Sequence, residues 1–262
     1  MTVPRIYISA PMDHLDCGSC YNLGEENLRY LKSVLRIKHD SQIILFNGSG
    51  CECKALIKEI QSDRAVVEIQ EKFFFPAPDI YITLCQSLPK GHKMDFIIQK
   101  ATELGVDKIV PFLSERTIPM LTREKAMAKS SRWGKIAIEA ARQCGRTDIP
   151  TITHLLSFDE MLKCAPPMSA RIILWEDETK ENIKRILRGN YIKSVKDFFV
   201  AVGPEGGFTE VEIHKASEQG FISASLGKQR LKVETAVLTI LAIIQYEKGF
   251  IGNTSQKGGQ LP

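Results

Sequence analysis

At 262 residues the chain suits one large domain or two modest ones. Its composition, 44% hydrophobic and 25% charged with 18 Gly and 12 Pro, excludes collagenous, low-complexity and wholly disordered classes. The net charge of +4 is unevenly spread, because from Arg116 to Arg146 eight Lys/Arg stand against only Glu124 and Glu139. Such a cluster reads either as an anion or nucleic-acid surface or as a solvated helix face. No run of 18 apolar residues occurs, so no membrane-spanning helix is expected. Asp13, His14 and Asp16 precede any long apolar run, which reads against a secretory leader and for a cytoplasmic protein.

The first seventy residues read as short strands and turns. Arg5–Ile8 and Gln42–Phe46 are candidate strands, and Asn47-Gly48-Ser49-Gly50 supplies hairpin chemistry before Glu52–Lys58 returns. Arg64–Ile69 closes the set, and Glu25–Leu35 reads as a helix with Leu28, Leu31, Val34 and Leu35 on one face. Several short strands with one helix suggest a small β-barrel over residues 1–72. Residues 73–78, with Pro76 and Pro78, read as an extended linker.

Strand and helix then alternate over residues 79–250. Ile80–Cys85 is an apolar strand, Lys93–Leu104 a helix stopped by Gly105, and Lys108–Leu113 the next strand. Trp133, Ile136, Ala137, Ala140, Ala141 and Cys144 stripe a second helix. Arg171–Trp175 and Phe198–Val202 are continuous apolar runs, as strands buried on both faces should be. Thr209 and Glu212 form a capping-box pair, Ile222–Leu226 is a last strand, and Val233–Tyr246 is a helix apolar nearly all round, expected to be buried. The pattern predicts an α/β domain with a mostly parallel sheet. The tail at 251–262 reads as disordered.

Seven cysteines, an odd number, argue against a disulfide framework. Cys17-x-x-Cys20 and Cys51-x-Cys53 offer four thiolates, but the second spacing is tighter than zinc sites use and no histidine pair stands at ligand spacing; no metal is expected. Neither a phosphate-cradling G-x-x-x-x-G-K-[ST] nor a dinucleotide G-x-G-x-x-G is present, and nothing resembles a nucleophile elbow. Chemistry instead gathers at three strand ends: Leu174-Trp175-Glu176, Gly203-Pro204-Glu205-Gly206-Gly207, and Leu226-Gly227 followed by Arg230-Leu231-Lys232. Open α/β sheets bind ligands at such ends, and glycines admit a ligand close to the backbone. Two glycine loops with apolar walls suit an adenosine-containing cofactor without phosphates.

Six segments, taken together and in order, resemble the RsmE family of 16S ribosomal RNA uridine-N3 methyltransferases. They are Lys90-Gly91-His92-Lys93-Met94-Asp95 running on to Val106, Ser114-Glu115-Arg116, Arg132–Ala137, Gln143–Arg146 with Ile149-Pro150, Gly203–Phe208, and Leu226–Ala236. The resemblance implies an N-terminal PUA-like barrel for RNA and a C-terminal SPOUT domain with a deep trefoil knot. It implies a homodimer that binds S-adenosylmethionine and acts on 16S ribosomal RNA or the small ribosomal subunit. The cofactor residues so implied are Leu174, Trp175, Gly203, Pro204, Glu205, Gly206, Gly207, Leu226, Gly227, Leu231 and Thr235. Gln229 and Lys232 stand where the family often has Arg, Tyr30 near a frequent His, and Arg142 where an acidic residue is common.

Methylating N3 of a uridine requires removal of its proton or stabilisation of the anion. Glu205 and Glu234 are the carboxylates nearest the proposed site, and Arg116 is a candidate to stabilise the anion. Glu205 could equally orient the cofactor or cap the helix that follows. Candidate RNA contacts are Arg5, Arg36, Arg116, Arg123, Lys125, Lys129, Arg132, Arg146 and Lys232. The competing reading is a non-catalytic RNA-binding ribosome-assembly protein, against which the glycines at 203, 206, 207 and 227 speak.

Overall fold

The computed structural model describes residues 3–35, 38–117 and 123–252, without the side chains of 123–126 and 191. Arg36, the side chains of Arg123 and Lys125, and the tail from residue 253 onward therefore lie outside the described residues. Two compact units emerge among the described residues: 3–77 with 141–149, and 78–140 with 150–252.

The first unit contains β1 (Arg5–Tyr7), β2 (Cys20–Leu23), α1 (Glu25–Arg29), β3 (Gln42–Phe46), β4 (Cys51–Ile60) and β5 (Ala65–Phe74). Its sheet runs β1-β3-β4-β5-β2, parallel only between β1 and β3. Among the described residues no ladder joins β1 to β2, so the expected barrel is a sheet with an unpaired seam. Register shifts at Lys54/Ala55 and Ile57/Glu59 bend β4, and Ile6, Leu45, Ile57 and Val67 fill the core beneath it.

The hairpin falls where Asn47–Gly50 placed it, with Gly48 and Gly50 at φ 82° and 79°. β5 outruns the expected strand: Phe73 and Phe74 pair with Glu52 and Cys51, so these two residues are ladder rather than linker. The expected helix at 25–35 changes pitch, α1 passing into a π-helical turn at Tyr30–Leu35. The wider turn rotates the stripe: Leu28 and Leu31 stay in the core while Val34 is 64% exposed.

Residues 141–149, expected within the second domain, cluster with the first unit. Gly50 N donates to Thr147 O at 3.1 Å, Arg5 donates to Arg146 O at 2.7 Å, and the Ile149 side chain lies against the bare Cα of Gly48.

The second unit carries β6 (Tyr81–Ser87), α2 (Lys93–Glu103), β7 (Lys108–Leu113), α3 (Arg123–Cys144), β8 (Thr151–Ile152), β9 (Leu156–Ser157), α4 (Phe158–Lys163) and β10 (Ala170–Leu174). It continues with α5 (Ile183–Arg188), α6 (Asn190–Lys193), β11 (Asp197–Val202), α7 (Glu210–Glu218), β12 (Ile222–Ala224) and α8 (Val233–Glu247). The strand order is β12-β10-β11-β6-β7-β8, with β9 also on β7, and every ladder is parallel. Ile82, Leu84, Ile109, Ile172, Val200 and Ala201 are all fully buried, as their unbroken apolar runs require.

Thr209 caps α7 through the reciprocal bonds of a capping box with Glu212. α8 packs on α2, and Gln245 Nε2 donates to Leu104 O at 2.8 Å where α2 ends. α8 is not buried all round. Val237, Ile240, Leu241 and Ile244 face inward, but Leu238, Ala242 and Ile243 are half-buried and Tyr246 is exposed. Among the described residues, no helix is long and apolar enough to cross a membrane.

Candidate active site

The strand order doubles back at β10 and β11, and there the carboxyl ends of β10, β11 and β12 enclose an open-mouthed cleft with a cavity volume of about 100 Å³. Leu174 and Trp175 end β10, Gly203, Pro204 and Gly207 follow β11, and Leu226, Gly227 and Leu231 follow β12; all eight line it. Trp175 N donates to Ala224 O at 3.1 Å, and Ser225 exchanges backbone bonds with Glu181 O and Ile183 N, so the first and third loops are stitched together. Gly207 N closes a turn onto Pro204 O at 2.9 Å.

Each glycine has a distinct reason. At Gly207, φ 66°, a Cβ would lie 2.0 Å from Glu176 Oε1. At Gly203 it would press on the Phe208 ring at 3.2 Å, and Phe208 is itself stacked on Phe112 at a 2° interplanar angle. At Gly227, φ 137°, a Cβ meets no protein atom within 4 Å. The first two glycines serve close packing of the loop, and the third leaves room at the cleft wall.

Three expected cofactor residues stand outside this lining. Gly206 faces Arg116, which donates to its carbonyl at 2.7 Å, and Thr235 is exposed on α8. Glu205 lines an adjoining cavity together with Lys93, Glu176, Arg230, Lys232 and Glu234. There Lys93 Nζ lies 2.7 Å from Glu205 and 3.8 Å from Glu234, and Lys90 N also donates to Glu205. Burial alone would raise the Glu205 carboxyl, but the bonds from Lys93 and the backbone outweigh it and hold it below the usual carboxylate range. The hydrogen bond to Glu205 raises Lys93 in turn. The Glu234 Oε2 atom, the one facing Lys93 at 3.8 Å, is buried and has no hydrogen-bond donor among the described residues.

The expected RNA contacts differ in availability. Arg5 is only 12% exposed, ion-paired with Glu52 and set over the Phe46 ring; Arg146 is 14% exposed and paired with Asp148. Both are internal ties of the first unit, poorly placed to reach a phosphate. Arg132 bonds Asp95 at 2.5 Å yet stays 61% exposed, Lys129 is half-buried, and Lys232 is exposed at the start of α8. Two departures from the family pattern prove to be a single contact, the Arg142 guanidinium lying 3.9 Å from the Tyr30 ring centre. Cys51 and Cys53 are buried in β4, where burial pushes the Cys53 thiol up to about 12. Among the described residues no group of three or more metal-ligating side chains occurs.

Sequence reasoning passed over Lys93, Glu176 and Arg230. Lys93 falls within the segment from Lys90 to Val106, and Glu176 and Arg230 fall in two of the three loops, but nothing in spacing singles them out.

Residues 76–245 match the family model of an RNA methyltransferase domain, and residues 23–70 match that of an RNA methyltransferase PUA domain. With the parallel sheet and the glycine-lined cleft at its carboxyl edge, these two matches define the chain as an RNA methyltransferase. It is 32% identical to the Buchnera aphidicola (Acyrthosiphon pisum) ribosomal RNA small subunit methyltransferase E, over 93% of each chain. The Bacillus subtilis protein of the same name is 29% identical over 93% of this chain and 96% of its own. The crystal structure of the Neisseria gonorrhoeae protein of that name, bound to S-adenosylmethionine, superposes with TM-score 0.83 at 32% identity, covering 94% of this chain and 98% of that one. The chain belongs to the ribosomal RNA small subunit methyltransferase E family.

Proposed function

We propose that this protein transfers a methyl group from S-adenosylmethionine to N3 of a uridine in 16S ribosomal RNA. One observation carries the reading: the cleft walled by the ends of β10, β11 and β12 has apolar sides and bare backbone but no phosphate cradle. Leu174, Trp175, Leu226 and Leu231 offer apolar walls, and Gly203, Gly207 and Gly227 bring backbone to the cleft surface. These suit an adenosine, and the open space beside Gly227 suits its close approach. S-adenosylmethionine, when bound, supplies an electrophilic methyl group on a cationic sulfur.

The rest falls to the chain's own residues. A uridine N3 must lose its proton as the methyl arrives, so a carboxylate in the adjoining cavity has to accept it. Glu205, held deprotonated by Lys93 and the Lys90 amide, is a weak base and serves to position its loop and Lys93. Glu234 has an oxygen to spare and is assigned as proton acceptor. Arg116, by holding the Gly206 carbonyl, fixes the glycine loop.

The same reading assigns residues 1–72 to RNA and 79–250 to the methyltransferase, with Lys129, Arg132 and Lys232 as RNA contacts. It adds a homodimer and action in the cytoplasm. It also adds a trefoil knot at the three loops, which stretching the chain from both ends would leave as a tightened remnant short of full contour length.

Mapping N3-methyluridine in 16S ribosomal RNA from cells with and without the gene tests the function. The modification should vanish with the gene and return with it. Its persistence in the deletion strain would refute the assignment. Titration of the purified protein with S-adenosylmethionine separates the enzyme from a non-catalytic RNA-binding protein, which would give no binding heat.

A further inference from the structure

We infer that Glu176 binds the cationic end of the cofactor and so helps to distinguish it from uncharged adenosine compounds; this rests on the S-adenosylmethionine reading above. Among the described residues, Glu176 is the only acidic one on the cleft wall, where the other charged side chains are Lys228 and Arg230. It also lines the adjoining cavity that holds Lys93, Glu205 and Glu234, and so stands where the two spaces meet. A cofactor lodged with its adenosine in the cleft and its reactive end toward the carboxylates would pass this residue.

The seat of the carboxylate is built. Its Oε1 occupies the place beside Gly207 where a Cβ would stand, at 2.0 Å from that position, so the loop admits the carboxylate only because residue 207 is glycine. Among the described residues, Glu176 has neither an ion partner nor a hydrogen-bond donor. The nearby cation Arg230 pairs instead with Asp177 at 3.2 Å, one residue further along the same loop. Neighbouring Glu178 is likewise engaged, by Ser223 Oγ and the backbone of Lys180 and Glu181. Glu176 alone of this acidic run keeps its charge unspent. S-adenosylmethionine carries an ammonium and a sulfonium, and a carboxylate between cleft and reaction space complements both.

The test compares three ligands by calorimetry on the full chain: S-adenosylmethionine, S-adenosylhomocysteine, which lacks the sulfonium charge, and methylthioadenosine, which lacks both charges. Glu176→Gln should weaken S-adenosylmethionine roughly tenfold to hundredfold, the range expected for a lost charge-assisted contact, and leave methylthioadenosine unchanged. Loss shared by S-adenosylhomocysteine would support the ammonium as partner, and loss confined to S-adenosylmethionine the sulfonium. Glu176→Asp, which keeps the charge, should restore part of the affinity lost in Glu176→Gln. Unchanged S-adenosylmethionine affinity in Glu176→Gln, or equal loss for all three ligands, would overturn the inference. A wild-type protein that bound none of the three would overturn the functional reading itself, and this pairing with it.

Discussion

Two carboxylates share one lysine in the adjoining cavity, and their surroundings push them toward different work. Glu205 takes the close contact with Lys93 and an amide besides, which stabilises its charge; Glu234 Oε2 has the longer ion contact alone and, among the described residues, no hydrogen-bond donor. A proton acceptor needs a free lone pair more than it needs a stable anion. Glu234→Gln should therefore lower kcat by about a hundredfold or more and remove the acid limb of the pH–rate profile. Glu205→Gln should retain that limb and act on cofactor affinity through its loop. It should also show a stability cost of its own. Because the folded-state value of Glu205 is lowered, its contribution is present above the unfolded carboxylate value and is lost as pH falls through the folded one. Urea titrations of wild type and Glu205→Gln should thus converge at acid pH. Loss of the acid limb in Glu205→Gln and its survival in Glu234→Gln would reverse the two roles.

Helices and strands were legible in proportion to how much pattern they carry. β6, β10 and β11 are buried on both faces and read as unbroken apolar runs, and α2 and α7 announce themselves by stripe and cap. β8 and β9 have two residues each and β2 has four, too short for any period to emerge, so pairing with β7 and β5 alone makes them strands. Val34 left its predicted stripe because one π turn changes the rotation per residue, which no composition signals. α8 is the instructive case. Its apolar character was plain, but whether its own domain covers it all round was not, since coverage is a property of neighbours. Leu238, Ala242, Ile243 and Tyr246 leave an apolar strip without full cover in the single chain, the kind of surface that the proposed homodimer would bury. Light scattering at micromolar concentration should report twice 29.4 kDa, and Leu238→Asp with Ala242→Asp should lower that mass toward the monomer. A wild-type monomer would remove the dimer from the reading.

At the scale of the whole molecule, the three glycine-bearing loops could be placed from sequence because each follows a recognisable strand. The return of residues 141–149 to the first unit could not, because it rests on bonds such as Arg5 to Arg146 O across 141 residues of chain. That return also divides the basic stretch. Arg146 at its end is a structural tie, while Lys129 and Arg132 remain on α3 of the second unit, on the same helix as Arg123 and Lys125. If α3 tracks the RNA backbone, each phosphate it neutralises releases counterions, and binding weakens steeply as salt rises. Replacing Arg123, Lys125 and Lys129 with Ala should lower RNA affinity and flatten the slope of log K against log salt by about two. Affinity for S-adenosylmethionine should not move, because none of the three belongs to the strand-end loops at 174–176, 203–207 and 226–231. Arg5→Ala makes the contrast: its guanidinium is held by Glu52 and Arg146, so it should cost stability while leaving the salt slope alone. An unchanged slope in the triple variant would make the basic run a solvated helix face, and would leave Lys232 and the first unit to hold the RNA.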